Sequence, residues 1–174
     1  MAPINTAAWL TAEKSPSLTV GPAPYTPPSP TELVIRNHAL GINIVDWAIQ
    51  QMGSSLFSWI QYPHILGSDV AGEVVEVGSS ITRFKPGDRV ISQVAGLMSG
   101  NAYGAFQTYS LAAEVMTSPI PTSVSYSQAA VLPLAIGTAA CGLFQKDYLA
   151  LQHPTVPPKP TGETLLIWGG ATSV

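Results

Sequence analysis

Residues 67–90 read GSDVAGEVVEVGSSITRFKPGDRV, and this stretch decides the fold. Val70, Val74, Val75 and Val77 are β-branched, and Gly72, Gly78 and Gly87 punctuate the run. The pattern is strand, turn, strand. A glycine within a strand, such as Gly72, marks a bulge or a close backbone approach. Lys85-Pro86-Gly87-Asp88 has the chemistry of a type II turn: Pro86 sets φ at the first corner, and Gly87 takes the positive φ of the second. Val90 and Ile91 then restart the strand. Composition alone is satisfied by any antiparallel pair in a small barrel.

Moving outward, 62–66 (YPHIL) lead into this stretch and 53–58 form a polar loop of small residues. Residues 41–51 turn into a helix, with Asp46 expected as its N-cap. Before that, 32–40 alternate as a strand. Residues 4–10 form a first strand, and 18–20 pair with it. Between them and the third strand, 22–30 carry five prolines and must be extended or turn-like. After the central stretch, 94–102 read as a loop and 104–111 as another strand. Residues 123–132, capped by Ser125, and 135–149 suit two helices. Residues 152–162 hold four prolines and make a linker, and 164–168 form a short apolar β run ending in Gly169-Gly170.

Totals narrow the function classes. Hydrophobic residues make up 46% of the 174 and charged residues 10%, a balance foreign to disordered chains. A net charge of −3 gives no basic footprint for nucleic acid or an acidic membrane surface. The single cysteine, Cys141, excludes an internal disulfide and favours a reducing, cytoplasmic setting. The stretch 122–145 comes closest to a membrane span, but its Pro133, Gly137 and Gly142 suit a packed helical pair better.

The order G-x-D-x-x-G-x-V-x-x-x-G, then K-x-G-D-R-V, resembles the barrel core of the medium-chain dehydrogenase/reductase superfamily. Within it, the chain looks like the zinc-free branch of quinone oxidoreductases and trans-acting enoyl reductases. The resemblance extends to Gly41-Ile42-Asn43-Ile44-Val45-Asp46-Trp47, Gly104-Ala105-Phe106, Ala129-Ala130, Gly137-Thr138-Ala139 and the closing Gly169-Gly170-Ala171-Thr172-Ser173-Val174. It implies a mainly β, α+β fold with short helices. A GroES-like, partly open barrel over 1–162 would carry the substrate, and 163–174 would be the first strand and glycine turn of a Rossmann domain. On this resemblance the chain is about half of a family member.

The same resemblance implies a site. Zinc-dependent relatives carry a cysteine where Asn43 stands, histidine and glutamate after the glycine matching Gly67, and another cysteine near Leu134. This chain has Asn43, Ser68, Asp69 and Leu134 there, so no metal is expected. The cofactor then carries the hydride chemistry and the protein orients it. By resemblance, Asn43, Val45, Asp46 and Trp47 line the nicotinamide cleft, although an Asx turn and helix cap account equally for Asn43 and Asp46. Ile44 replaces a proline common in relatives, and Ala48 replaces a basic residue that some carry. Thr138 matches a threonine that touches the nicotinamide or its ribose, and a helix-start hydroxyl accounts equally for it. Leu134, Ile136 and Gly137 would wall the substrate pocket. Gly169 to Val174 match a phosphate-binding glycine turn. The implied cofactor is NADPH, inherited from those branches. The implied substrate is a small enone or quinone, or an acyl thioester, the last with a polyketide synthase as partner. No catalytic residue is assigned; Tyr62, Tyr103, Tyr109 and water are the candidate proton donors. The alternative is a non-catalytic GroES-like module that binds a partner protein or an acyl carrier.

Overall fold

The computed structural model describes residues 3–170. Eight strands and four helices follow in the order β1 (Asn5–Leu10), β2 (Thr19–Ala23), β3 (Glu32–Gly41), α1 (Ile44–Met52), β4 (His64–Ile65), β5 (Asp69–Val77), β6 (Arg89–Gln93), α2 (Gly96–Ser99), β7 (Tyr109–Ala113), β8 (Thr117–Pro119), α3 (Tyr126–Ala129) and α4 (Pro133–Phe144). By internal contacts the chain divides into two compact units, 1–133 and 134–174.

In the first unit every paired strand is antiparallel. One sheet runs β2-β1-β4 and the other β7-β3-β5-β6-β8. Residues 105–108 join them: the Ala8 N–H donates to the Phe106 carbonyl at 2.8 Å, and the Thr108 N–H to that of Thr6 at 2.9 Å. The mainly β, GroES-like expectation therefore holds, and β5 is the axis on which the larger sheet is built. Its inward residues Val70 and Val74 are fully buried with Leu33, Ile35 and Val90. The valines that alternate along β5 supply that face, as a half-buried strand requires.

The turn is as expected. The Asp88 N–H donates to the Lys85 carbonyl at 3.1 Å, and Gly87 has φ +93°. Gly72 is a close approach. A Cβ there would lie 2.1 Å from the Arg36 carbonyl oxygen, because β3 and β5 shift register on either side of that contact. The short strands expected over 4–10 and 18–20 form as Asn5–Leu10 and Thr19–Ala23, the second running into the proline stretch with Pro22 tolerated opposite Thr6 on an edge strand.

Several local readings change. The expected strand 104–111 begins only at Tyr109. In the preceding residues the Asn37 side chain takes the place of a ladder, its Nδ2 donating to the carbonyls of Ala105 and Gln107 at 3.1 and 2.8 Å. Within the loop 94–102 a helical turn, α2, forms. The helix expected over 123–132 is the single turn α3, capped by Ser125 as read, and the one expected over 135–149 is α4. Residues 164–168 pair with nothing among the described residues and are not a strand.

By length and composition, Tyr126–Phe144 could cross a membrane, a property it shares with the core helices of soluble proteins. In the first unit, Ala129 and Ala130 pack on Ala71 and Ile120. In the second unit α4 has no buried residue, and the Leu151 N–H closes back on the Leu143 carbonyl at 2.9 Å.

Candidate functional site

The site grows from the end of β3. Gly41 ends the strand because nothing larger fits: a Cβ would sit 2.6 Å from the Ala130 carbonyl oxygen and 2.8 Å from the Asp69 Cβ. That close approach sets the start of α1 against the start of β5. Asn43, with extended φ of −115° and ψ of 157°, is the N-cap of α1. Asp46, expected to be the cap, instead occupies the third helical position. Its carboxylate reaches back and accepts the Asn43 N–H at 2.8 Å, which is one half of a capping box. The motif could have been read from Asn43-x-x-Asp46, but two adjacent candidates for the cap obscured it.

Asp46 has a second duty. Its Oδ1 accepts the buried Gly67 N–H at 3.0 Å, tying α1 to the turn before β5. Asn43 in turn donates its Nδ2 to Asp69 at 3.0 Å, which fixes the orientation of the amide. Three polar residues from two stretches of the sequence thus form one network, with Asp46 3% and Asp69 1% exposed. Burial pushes the Asp46 pKa up, the N–H donors of Asn43 and Gly67 oppose this, and the charge of Asp69 adds to it.

Beside this buried network the first turn of α1 is open and apolar. Ile44 is 80% exposed and Trp47 60%, while Val45 and Ile49 face inward to Leu10, Phe57 and Leu66. The cofactor-side candidates Asn43, Val45, Asp46 and Trp47 therefore belong to one helix start: Val45 and Asp46 face inward, Asn43 is held by Asp69, and Trp47 turns outward.

The other candidates lie in the second unit. Leu134, Ile136, Gly137 and Thr138 all stand on α4, and Ile136 is 56% exposed. Thr138 is in the body of that helix rather than at its start. Its hydroxyl donates to the Leu134 carbonyl, one turn back, at 2.8 Å. Gly169 has φ of +79°, the left-handed conformation of a glycine turn. The calls on Ala171, Thr172, Ser173 and Val174 fall outside the described residues.

The candidate proton donors are dispersed. Tyr103 donates its hydroxyl to Glu32, whose carboxylate pushes the phenol up to about 12. Tyr109 packs edge-on against Tyr25 at 5.5 Å. Tyr62 packs with the inward side of α1 in the cluster of Leu10, Ile49 and Phe57, and its hydroxyl has no partner. No group of three or more His, Cys, Asp or Glu side chains comes together among the described residues.

Comparison with known proteins places this geometry. Residues 29–122 match the alcohol dehydrogenase GroES-like domain. The dehydrogenase orf1 of Aspergillus niger is 55% identical over 99% of this chain and 50% of its own length. The trans-enoyl reductase himH of Aspergillus japonicus is 40% identical over 98% and 49%. Among solved structures, a Pseudomonas syringae quinone oxidoreductase superposes with a TM-score of 0.67 at 30% identity, covering 83% of this chain and 42% of that one. The Escherichia coli quinone oxidoreductase complexed with NADPH gives 0.64 at 27%, covering 84% and 41%. The chain spans about half the length of the curated relatives it matches.

Proposed function

Since the chain belongs to the alcohol dehydrogenase GroES-like domain family of the medium-chain dehydrogenase/reductases, we propose that it is the substrate-side portion of an NADPH-dependent, zinc-independent reductase of activated C=C bonds. One observation carries this reading. At two positions where zinc-dependent relatives place metal ligands, Asn43 and Asp69 are hydrogen-bonded to each other at 3.0 Å. An amide and a carboxylate committed to one another, next to Ser68, are a poor donor set for zinc, which favours thiolate and imidazole.

The exposed faces of Ile44 and Trp47 fit a flat, weakly polar ring such as nicotinamide. NADPH, if bound there, would supply the hydride for reduction of the activated double bond of the enone, quinone or enoyl thioester. The chain's own residues hold the geometry. Asp46 fixes the loop entry through two backbone N–H groups, and Asn43 is locked by Asp69. The Tyr103 hydroxyl is engaged by Glu32, which leaves solvent, Tyr62 and Tyr109 as sources of the proton that completes the reduction at the α-carbon or on oxygen. The kinship with a trans-enoyl reductase supports an enoyl thioester as substrate, and the resemblance to that branch makes a polyketide synthase the proposed partner.

The test is a chimera joining this chain to the cofactor-binding half of the 55% identical relative. Consumption of NADPH at 340 nm with an enone or a crotonyl thioester, by protein free of zinc, is expected. No turnover across a panel of enones, quinones and enoyl thioesters would favour a binding module, and stoichiometric zinc would overturn the metal-free reading.

A further inference from the structure

In the first unit an open cavity of about 520 Å³, within the size range of small-molecule sites, is lined by residues from 83–89 and 119–122. Arg83, Asp88, Arg89 and Thr122 supply its polar lining, and Phe84 and Ile120 its apolar floor. None of these residues belongs to the cofactor or substrate set argued above.

The charges of this cavity do not cancel. The ion pairs among the described residues are Arg36 with Glu73 at 2.9 Å and Lys85 with Asp88 at 2.6 Å. Arg83 and Arg89 have no carboxylate partner. Asp88, the one acid on the lining, is neutralised by Lys85: its Oδ1 takes the ammonium, and its Oδ2 accepts the Lys85 backbone N–H at 3.0 Å. Glu114 accepts the Arg83 backbone N–H at 3.2 Å and makes no ion pair with the guanidinium. The lining therefore carries two uncompensated positive charges.

Neutral groups hold both guanidiniums in place. Arg83 donates to the carbonyls of Glu114 and Thr117 at 3.2 and 3.4 Å and lies 4.9 Å from the centre of the Phe84 ring. Arg89 donates to the carbonyls of Pro121 and Val124 at 3.2 and 2.7 Å and lies 4.6 Å from the centre of the Tyr126 ring. A guanidinium has five N–H donors, so these carbonyls leave donors unused on each arginine. The Nη1 bond of each is at the surface. Cations fixed in this way are preorganised, which lowers the cost of binding a ligand between them.

We infer that this cavity binds an organic phosphate monoester. A dianionic phosphoryl group matches the two uncompensated charges, and its paired oxygens suit the guanidinium fork. The Thr122 hydroxyl can donate to a phosphoryl oxygen, and the organic substituent rests on Phe84 and Ile120. This site is independent of the proposed reductase chemistry and does not fall with it.

The probe is phenyl phosphate, titrated by calorimetry into the 174-residue chain at fixed ionic strength and about pH 8, where its phosphate is dianionic. Benzenesulfonate keeps the ring with a single charge, and inorganic phosphate keeps the phosphoryl group without the ring. Phenyl phosphate is expected to bind at least about tenfold tighter than benzenesulfonate, as one charge-assisted hydrogen bond implies. It should bind at least about threefold tighter than inorganic phosphate, through apolar contact of its ring. Arg83→Gln should lower the affinity for phenyl phosphate about tenfold, whereas Arg36→Gln, whose arginine is already paired with Glu73, should leave it unchanged. Shifts of the Arg83 and Arg89 Nε–H resonances on adding phenyl phosphate to the unmodified protein locate the site whether or not the variants fold. Absence of saturable phenyl phosphate binding, equal affinity for either reference compound, unchanged affinity in Arg83→Gln, or shifts confined to other residues would each overturn the inference.

Discussion

Replacing Asp46 with alanine tests whether one buried carboxylate organises the start of α1. The substitution strands two donors. The Gly67 N–H loses its acceptor in a buried position, at about 1–3 kcal/mol. The Asn43 N–H loses the capping interaction, at about 1 kcal/mol. Removing a desolvated charge that faces Asp69 offsets part of this, since that burial and repulsion are what raise the Asp46 pKa. The net expectation is a loss of about 2–3 kcal/mol. Asp46→Asn keeps one acceptor oxygen and removes the charge, so it should lose only about 1 kcal/mol. The two variants also differ from the wild type in pH dependence. A carboxyl whose folded pKa lies above its ordinary 3.8 is held against ionisation, so its ionised form weakens the fold. On this group's account the wild type gains stability as pH falls through the raised folded pKa, and the gain is complete below 3.8; Asp46→Asn has no such gain. Urea unfolding followed by tryptophan fluorescence between pH 3.5 and 7 measures all three proteins. A loss below about 0.5 kcal/mol for Asp46→Ala, or equal losses for both variants, would refute the idea that the two N–H bonds matter.

Two further outcomes follow from the same contacts. Gly72→Ala should cost about 3 kcal/mol, because the new methyl meets the Arg36 carbonyl at 2.1 Å, whereas Gly87→Ala, with nothing within 4 Å, should cost only the positive-φ penalty of about 1–2 kcal/mol; equal melting shifts would contradict the close approach. Burial holds the His64 pKa below 6.5, so the neutral ring's contribution is complete above pH 6.5 and is lost as pH falls from there through the lower folded value; His64→Leu should abolish this part of the acid destabilisation, and an unchanged difference from wild type between pH 7 and 5 would show that the ring is not buried as neutral imidazole.

Much of the fold was legible because its signals are local. The valine alternation of β5, the Pro86-Gly87 turn and the Ser125 cap each need only a few neighbouring residues to act, and each formed as read. The resemblance to medium-chain dehydrogenase/reductases rested on the same local glycine and valine spacing, and the family match confirms it. The readings that changed depended on distant partners. The strand expected from 104 yielded to the Asn37 amide, some seventy residues away, and residues 164–168 found no neighbouring strand. The helix begins at Ile44, so the cap is Asn43, and Asp46 is the third helical residue, its carboxylate shared between the N–H groups of Asn43 and the distant Gly67.

The chain's order of residues determined by itself where backbone could turn and which faces would be apolar, since steric allowance and side-chain alternation are properties of short segments. Only folding decided that Asn43, Asp46, Gly67 and Asp69 would share one buried hydrogen-bond network, and that Trp9, Trp59, Tyr62 and His64 would ring one cavity. Those groupings join residues 2 to 55 positions apart, and what brings them together is the register of β3 on β5 and of β1 on β4, which no single segment contains.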